Sequence, residues 1–352
     1  MPTTITTNDK STTALLDKNL PKYRQAYSDR TAWLMACVSE LAYIRFNPLF
    51  SKDEQKKYFL EAIEKLVDKD RKNSLTKLID LVSYDADAEK DQLKTELTSL
   101  RMELIEPTFD SDGTQAILVD FKEHVVLGFR GTEATSIKDI KADAKAISMA
   151  CPTGGKIHKG FYQAYEAVES QIQERLNEND ITQKPLFITG HSLGGALATL
   201  AAKRLVHQGG ISACYTFGSP RVGDEEWVSQ IKTPLYRLVN AADCVTMLPP
   251  GQEVVTIFGW LISFVPTVGK RLRAWMLSKI GGYYHGGDMK YLTNCPCGDY
   301  ESVALLYYVS GLHRIKAVIY KKLPWKTMLS DHSIAIYRKK LEILAKRRNG
   351  IG

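Results

Sequence analysis

Apolar residues recur at helical spacing over residues 31–46, where Trp33, Leu34, Cys37, Leu41 and Tyr43 mark a first helix. Ser51 to Glu54 has the spacing of a capping box, and Leu60, Ile63, Leu66 and Val67 continue the period as a second helix. Residues 73–84 keep the helical character. The period then shortens. Residues 101–105, 115–122 and 124–129 are strand-like runs, and Asp110-Ser111-Asp112-Gly113 between the first two is a turn. Further on, strand and helix patterns alternate: a strand over 186–190, a helix over 194–207, strands over 211–217 and 234–240, and an amphipathic helix over about 333–346. Antiparallel strands followed by alternating elements predict an α/β sheet covered on both faces. The N-terminal helices are expected to pack onto that sheet. This gives a flexible polar segment over 1–30 and one domain over 31–352.

Composition changes this picture only in its last quarter. The 352 residues carry 47 Lys+Arg against 40 Asp+Glu, a net +7, but residues 270–352 hold 16 basic and 5 acidic residues. The excess therefore belongs to that stretch, and the rest of the chain is slightly acidic. No nucleic-acid motif accompanies it, so no nucleic-acid partner is expected. The first 30 residues lack an apolar core of signal-peptide length, and neither long uncharged run, 185–202 or 254–269, reads as a membrane span. The expected location is cytoplasmic, or exported by a route without such a signal. Six cysteines are too few for a disulfide framework. Cys295-Pro296-Cys297 is spaced more tightly than zinc ligands usually are and has no second pair, so no metal is expected.

Candidate chemistry centres on Gly190-His191-Ser192-Leu193-Gly194-Gly195, a G-x-S-x-G pattern. Chance alone places about 0.1 such matches in a chain this long, so the context matters. The context is the required one: a strand before the serine and a small-residue helix after it, with glycines where the backbone must approach closely. The helix N-terminus would point N–H groups at a developing oxyanion. His191, adjacent on the turn, is expected to serve packing or polar support. A serine nucleophile needs a base, and a base needs an orienting carboxylate. In sheets of this kind the order is serine, acid, histidine, which leaves His285, His313 and His332. Asp243 follows the 234–240 strand and is the better acid. Asp224, in a Gly-rich loop, is the weaker one. His332 lies in a loop-like entry to the last helix, whereas His285, between Tyr284 and two glycines, fits a loop-shaping role at least as well.

Several blocks in order resemble the class 3, fungal-lipase-like family of α/β-hydrolases. They are Phe129-Arg130-Gly131-Thr132, His158-Lys159-Gly160-Phe161, Gly190 to Gly195, Thr216 to Gly223, Asn240 to Asp243 with Leu248-Pro249-Pro250, and Asp331-His332 with Tyr337. The resemblance spans roughly residues 115–340. It implies the α/β-hydrolase fold, a mostly parallel central sheet covered by helices. It also implies a triad of Ser192, Asp243 and His332, an oxyanion hole from Leu193 and Thr132, and a structural role for His158. The 89 residues from Asp243 to His332 exceed what compact members carry, so 253–324 reads as an insertion or cap-like region. Two segments are candidates for a lid or lipid-facing surface: one with Ile137 and Ile140, the other with Phe258, Trp260 and Phe264 ahead of a basic cluster.

The expected activity is hydrolysis of lipid acyl esters through an acyl-enzyme, with a lipid ester as partner, contact with a membrane or lipid interface, and no cofactor. Phospholipase A1 action on anionic membranes is the alternative within that class. A non-catalytic lipid-binding protein that retains the fold is the alternative outside it.

Overall fold

The computed structural model describes residues 5, 10–18, 26–44, 85–131, 148–241, 243–249, 282–296, 298–310 and 330–351. The helical expectations over 51–84 lie outside those residues. Three antiparallel strands open an eight-stranded sheet: β1 (Glu103–Ser111), β2 (Thr114–Phe121) and β3 (His124–Phe129). β3 then runs parallel to β6 (Leu186–His191), β6 to β7 (Ile211–Phe217), β7 to β8 (Leu235–Asn240) and β8 to β9 (Asp288–Leu292). β10 (Leu305–Leu306) closes the far edge antiparallel to β9. A two-stranded hairpin, β4 (Ser148–Ala150) with β5 (Lys156–His158), stands apart.

Side chains along a strand alternate between faces, and here both faces are buried. Ile117, Val119, Phe121, Val126, Phe187, Tyr215, Phe217 and Leu238 share one core with α2 (Asp29–Leu41) and α7 (Ile334–Arg348). Leu118, Val125, Leu127, Ile188 and Cys214 share the other with α4 (Lys159–Leu176), α5 (Leu193–Arg204) and Trp227 of α6 (Glu225–Ser229). Every residue of α2 is buried, because the helix lies between the sheet and α7. Such a position demands partners for its charges. Glu40 has one in the guanidinium of Arg338 on α7, and Arg30 donates to the Leu15 carbonyl.

The structure differs from the sequence expectation in three places. Within the segment expected to be flexible, α1 (Lys10–Asp17) is a helix with Leu15 and Leu16 buried and Thr12 donating to Glu342. Eight residues with one adjacent leucine pair carry too little period to register as a helix. Helix α3 (Ala86–Ser99), capped by Asp85, sits where no element was expected and packs on β1. The stretch read as an insertion supplies β9 and β10, so that part of it is sheet scaffold. Tyr291 and Leu292 are buried there as sheet residues. Among the described residues no helix is long and apolar enough to cross a membrane.

Candidate active site

β6 delivers Ser192 onto a turn with φ 57° and ψ −125°. That region is sparsely populated by residues with a Cβ, and occupying it costs about 1–3 kcal/mol. The surroundings hold it: the Ser192 N–H donates to the Phe217 carbonyl at 2.9 Å, and the Ser192 carbonyl accepts from Gly195 at 3.0 Å. A Cβ on Gly190 would stand 2.1 Å from the Gly194 carbonyl oxygen, and one on Gly194 would stand 2.3 Å from that of Phe129. The turn closes only with glycine at both positions. Leu193 is the first residue of α5, so its N–H belongs to the first-turn donors that have no intrahelical partner and carry the positive end of the helix dipole.

His332 stands between α5 and β8. Its Nε2 lies 2.9 Å from Ser192 Oγ, and its Nδ1 lies 2.9 and 3.0 Å from the two Asp243 carboxylate oxygens. An ionised carboxylate only accepts, so Nδ1 carries the proton and Nε2 is left to accept the serine hydroxyl. All three side chains are buried, with at most 3% exposure. Asp243 follows β8 directly. Its carboxylate also accepts from the Tyr337 hydroxyl at 2.6 Å and the Val245 N–H at 3.0 Å. Tyr337 in turn accepts from the Asn240 N–H at 2.9 Å, which joins α7 to the end of β8. Asn240 extends that bracing, since its side chain donates to the Asp331 carbonyl and accepts from Lys340 Nζ at 2.7 Å. Burial pushes the Lys340 ammonium below the ordinary lysine range, against an opposing pull from Cys295 and Asp331.

The structure brings Ser192, Asp243 and His332 together and places Leu193 at the helix end beside them. Thr132, Ile137, Ile140, Phe258, Trp260 and Phe264 lie outside the described residues. The weaker acid candidate, Asp224, is the N-cap of α6 and accepts from the Trp227 N–H at 2.9 Å. His285 sits with Nε2 2.6 Å from the Thr246 carbonyl, bracing the turn after Asp243. His158 caps α4 and stacks on Phe161 with ring centroids 4.0 Å apart, and burial lowers its pKa to about 4.

Sequence reasoning missed part of this assembly. The polar support expected of His191 is aimed at the base itself: its ring centroid is 4.5 Å from that of His332. Tyr43 reads in the sequence as one more apolar helix position, yet its hydroxyl meets His191. No local signal could have paired residues 148 positions apart. Asn240 and Lys340 are likewise polar residues inside apolar patterns, and a lysine in register with Tyr337, Leu341 and Leu344 was the one cue available.

Chemically, the arrangement can pass the Ser192 proton to His332 while Asp243 stabilises the imidazolium, leaving Oγ free to attack an electrophilic carbon. Residues 126–253 match the family described as lipase (class 3). A Caenorhabditis elegans protein named as a lipase is 28% identical over 52% of this chain and 53% of its own length. A Rhizomucor miehei lipase is 35% identical over 40% of each chain, and a secreted mono- and diacylglycerol lipase of Fusarium solani is 41% identical over 28% of this chain and 31% of its own. The chain thus spans about half or less of the length of these relatives. Among solved structures, one described as a triacylglycerol lipase with a serine-protease triad as its catalytic centre aligns with a TM-score of 0.50 and 19% identity, covering 87% of this chain and 94% of that one. That likeness is one of fold, the α/β-hydrolase fold. Over residues 126–253 the chain is similar to the class 3, fungal-lipase-like family, in agreement with the ordered motifs and the sheet.

Proposed function

We propose that this protein is a serine carboxylic-ester hydrolase, a lipase acting on acyl esters of lipids. Ser192 Oγ attacks the acyl carbonyl as His332 Nε2 takes its proton, and Asp243 stabilises the imidazolium. The Leu193 N–H and Thr132 hold the tetrahedral oxyanion. Collapse of that intermediate breaks the ester bond, and the leaving alcohol takes the proton from His332. Water, deprotonated by the same imidazole, then attacks the acyl-enzyme and releases the fatty acid. The observation that carries the reading is the unbroken chain from Ser192 Oγ through the imidazole to the Asp243 carboxylate, each link near 2.9 Å. The names of the matched relatives support lipid acyl esters, partial glycerides among them, as the first substrates to try.

A second reading, phospholipase A1 action on anionic membranes, draws support from the basic excess over 270–352. Clustered cations favour an anionic lipid surface, and salt weakens that attraction. In this reading Phe258, Trp260 and Phe264 with the basic cluster after them form the lipid-facing surface, alongside the segment of Ile137 and Ile140.

The test compares hydrolysis of p-nitrophenyl butyrate, emulsified mono- and diacylglycerol, and phosphatidylglycerol vesicles at low and high salt. Ser192→Ala, Asp243→Ala and His332→Ala are assayed beside the wild type. Loss of activity in all three variants is expected. Full activity in Ser192→Ala would sink the assignment, and failure of Ser192 to react with a fluorophosphonate would make the protein a non-catalytic lipid binder. Preferential cleavage of the vesicles, suppressed by salt, would select the phospholipase.

A further inference from the structure

His191 is buried, and both ring nitrogens are engaged. Nε2 lies 2.6 Å from the backbone carbonyl of His332, and Nδ1 lies 2.8 Å from the Tyr43 hydroxyl. Burial and the neighbouring His332 hold its pKa well below the ordinary histidine range, so the ring is neutral and has one N–H. A carbonyl can only accept. The N–H therefore sits on Nε2 and donates to His332, and Nδ1 accepts the Tyr43 O–H. A single tautomer satisfies both contacts.

Tyr43 stands on a fixed support. It follows α2, and Ser39 and Thr189 of β6 share a buried hydrogen bond of 2.9 Å, while the Thr189 hydroxyl also lies 3.2 Å from the Met35 carbonyl. Glu40 ties the same helix end to α7 through Arg338. The Tyr43 hydroxyl also presses on the loop that leads to Thr132: a Cβ on Gly131 would stand 2.2 Å from it. The Tyr43–His191 pair thus touches three segments at once, the loop after β3, the nucleophile turn and the backbone of His332.

We propose that His191 and Tyr43 are positioning residues for the reaction, His191 holding His332 by its backbone carbonyl and Tyr43 setting the tautomer and place of His191. The proposal rests on the ester-hydrolase reading. Asp243 orients the imidazole from its Nδ1 side, but it does not fix where the backbone of residue 332 lies relative to Ser192. The His191 N–H supplies that second point of attachment, and two points define the approach of Nε2 to Oγ.

The experiment measures kcat and KM on p-nitrophenyl butyrate for the wild type, His191→Leu, His191→Gln and Tyr43→Phe. Active sites are titrated with a fluorophosphonate, and thermal midpoints are recorded alongside. His191→Leu keeps the bulk and loses both hydrogen bonds. Its kcat per titrated site is expected to fall by roughly ten- to a hundredfold, the effect of displacing a catalytic group by a fraction of an ångström to an ångström, with KM near the wild-type value. His191→Gln, whose amide can still donate to the carbonyl, is expected to regain most of the loss. Tyr43→Phe is expected to lower kcat less than His191→Leu does. Should His191→Leu fail to fold, Tyr43→Phe alone carries the test. Wild-type kcat per titrated site in these variants would overturn the proposal, as would a glutamine variant no better than leucine. Both results differ from a wild type that neither hydrolyses esters nor labels, which would defeat the ester-hydrolase reading itself.

Discussion

Gly218, directly after β7, lies behind the Asp243–His332 pair with φ +58°, its N–H donating to the Leu238 carbonyl at 3.1 Å. A Cβ there would stand 2.6 Å from Asp243 Oδ2 and 2.9 Å from both Cε1 and Nδ1 of His332. Ordinary contact begins near 3.4 Å, so Gly218→Ala forces the carboxylate back by about 0.8 Å and the ring by about 0.5 Å. Displacements of that size in a catalytic constellation cost up to about a hundredfold in rate. The expected fall in kcat is roughly ten- to a hundredfold, or about 1.4–2.7 kcal/mol of barrier. Alanine in a left-handed backbone conformation costs a further 1–2 kcal/mol, roughly, of folding stability. The assay is steady-state hydrolysis of p-nitrophenyl butyrate with fluorophosphonate-titrated sites, beside a thermal melt. KM is expected to stay near the wild-type value, because the perturbation acts on the chemical step. A variant with a lowered midpoint but an unchanged kcat per site would refute the reasoning, since the pair would then tolerate displacement.

Tyr337→Phe leaves the Asn240 N–H without its acceptor and Asp243 short of one donor, so a loss of about 1–3 kcal/mol is expected from urea unfolding. An unchanged midpoint would count against the assigned hydrogen bonds. Arg338→Met strands the Glu40 carboxylate in the interior and should cost about 3–5 kcal/mol, most of it recovered by adding Glu40→Leu. Simple additivity of the two substitutions in a double-mutant cycle would contradict the buried ion pair. His158, with a folded pKa of about 4 against an ordinary 6.5, binds fewer protons folded than unfolded between those values. Stability should therefore fall as pH drops through that window, by at most about 2 kcal/mol between pH 7 and pH 5. His158→Asn is expected to flatten this dependence, and equal slopes for variant and wild type would argue against it.

Much of the scaffold was legible because its signals are local. The strand-like runs at 115–122 and 211–217 are apolar at adjacent positions and so mark strands buried on both faces, and the small residues after Ser192 announce a helix lying close to the sheet. The relation of Ser192, Asp243 and His332 was legible only in outline. Chain order narrowed the base to three histidines and the resemblance selected one of them, but distance along the chain says nothing about hydrogen bonds. The remainder was hidden for one reason. Tyr43, Asn240, Lys340 and Arg338 are polar groups placed in apolar periods, and each is satisfied by a residue far away in sequence. The last strand pair of the sheet, β9 with β10, was obscured differently, since strands of five and two residues carry almost no period.

The partnership of α2 with α7 has a temporal consequence. His332 lies just before α7 and Tyr337 in its first turn, and α7 packs on α2 and pairs Arg338 with Glu40. A chain made from its N-terminus outward exposes Ser192 and Asp243 to folding before the ribosome has released residues 330–348. In that interval the nucleophile turn can form, but it has no base. The hydrogen-bonded triad is then complete only once α7 has docked, and a chain stalled before α7 holds Ser192 and Asp243 without His332.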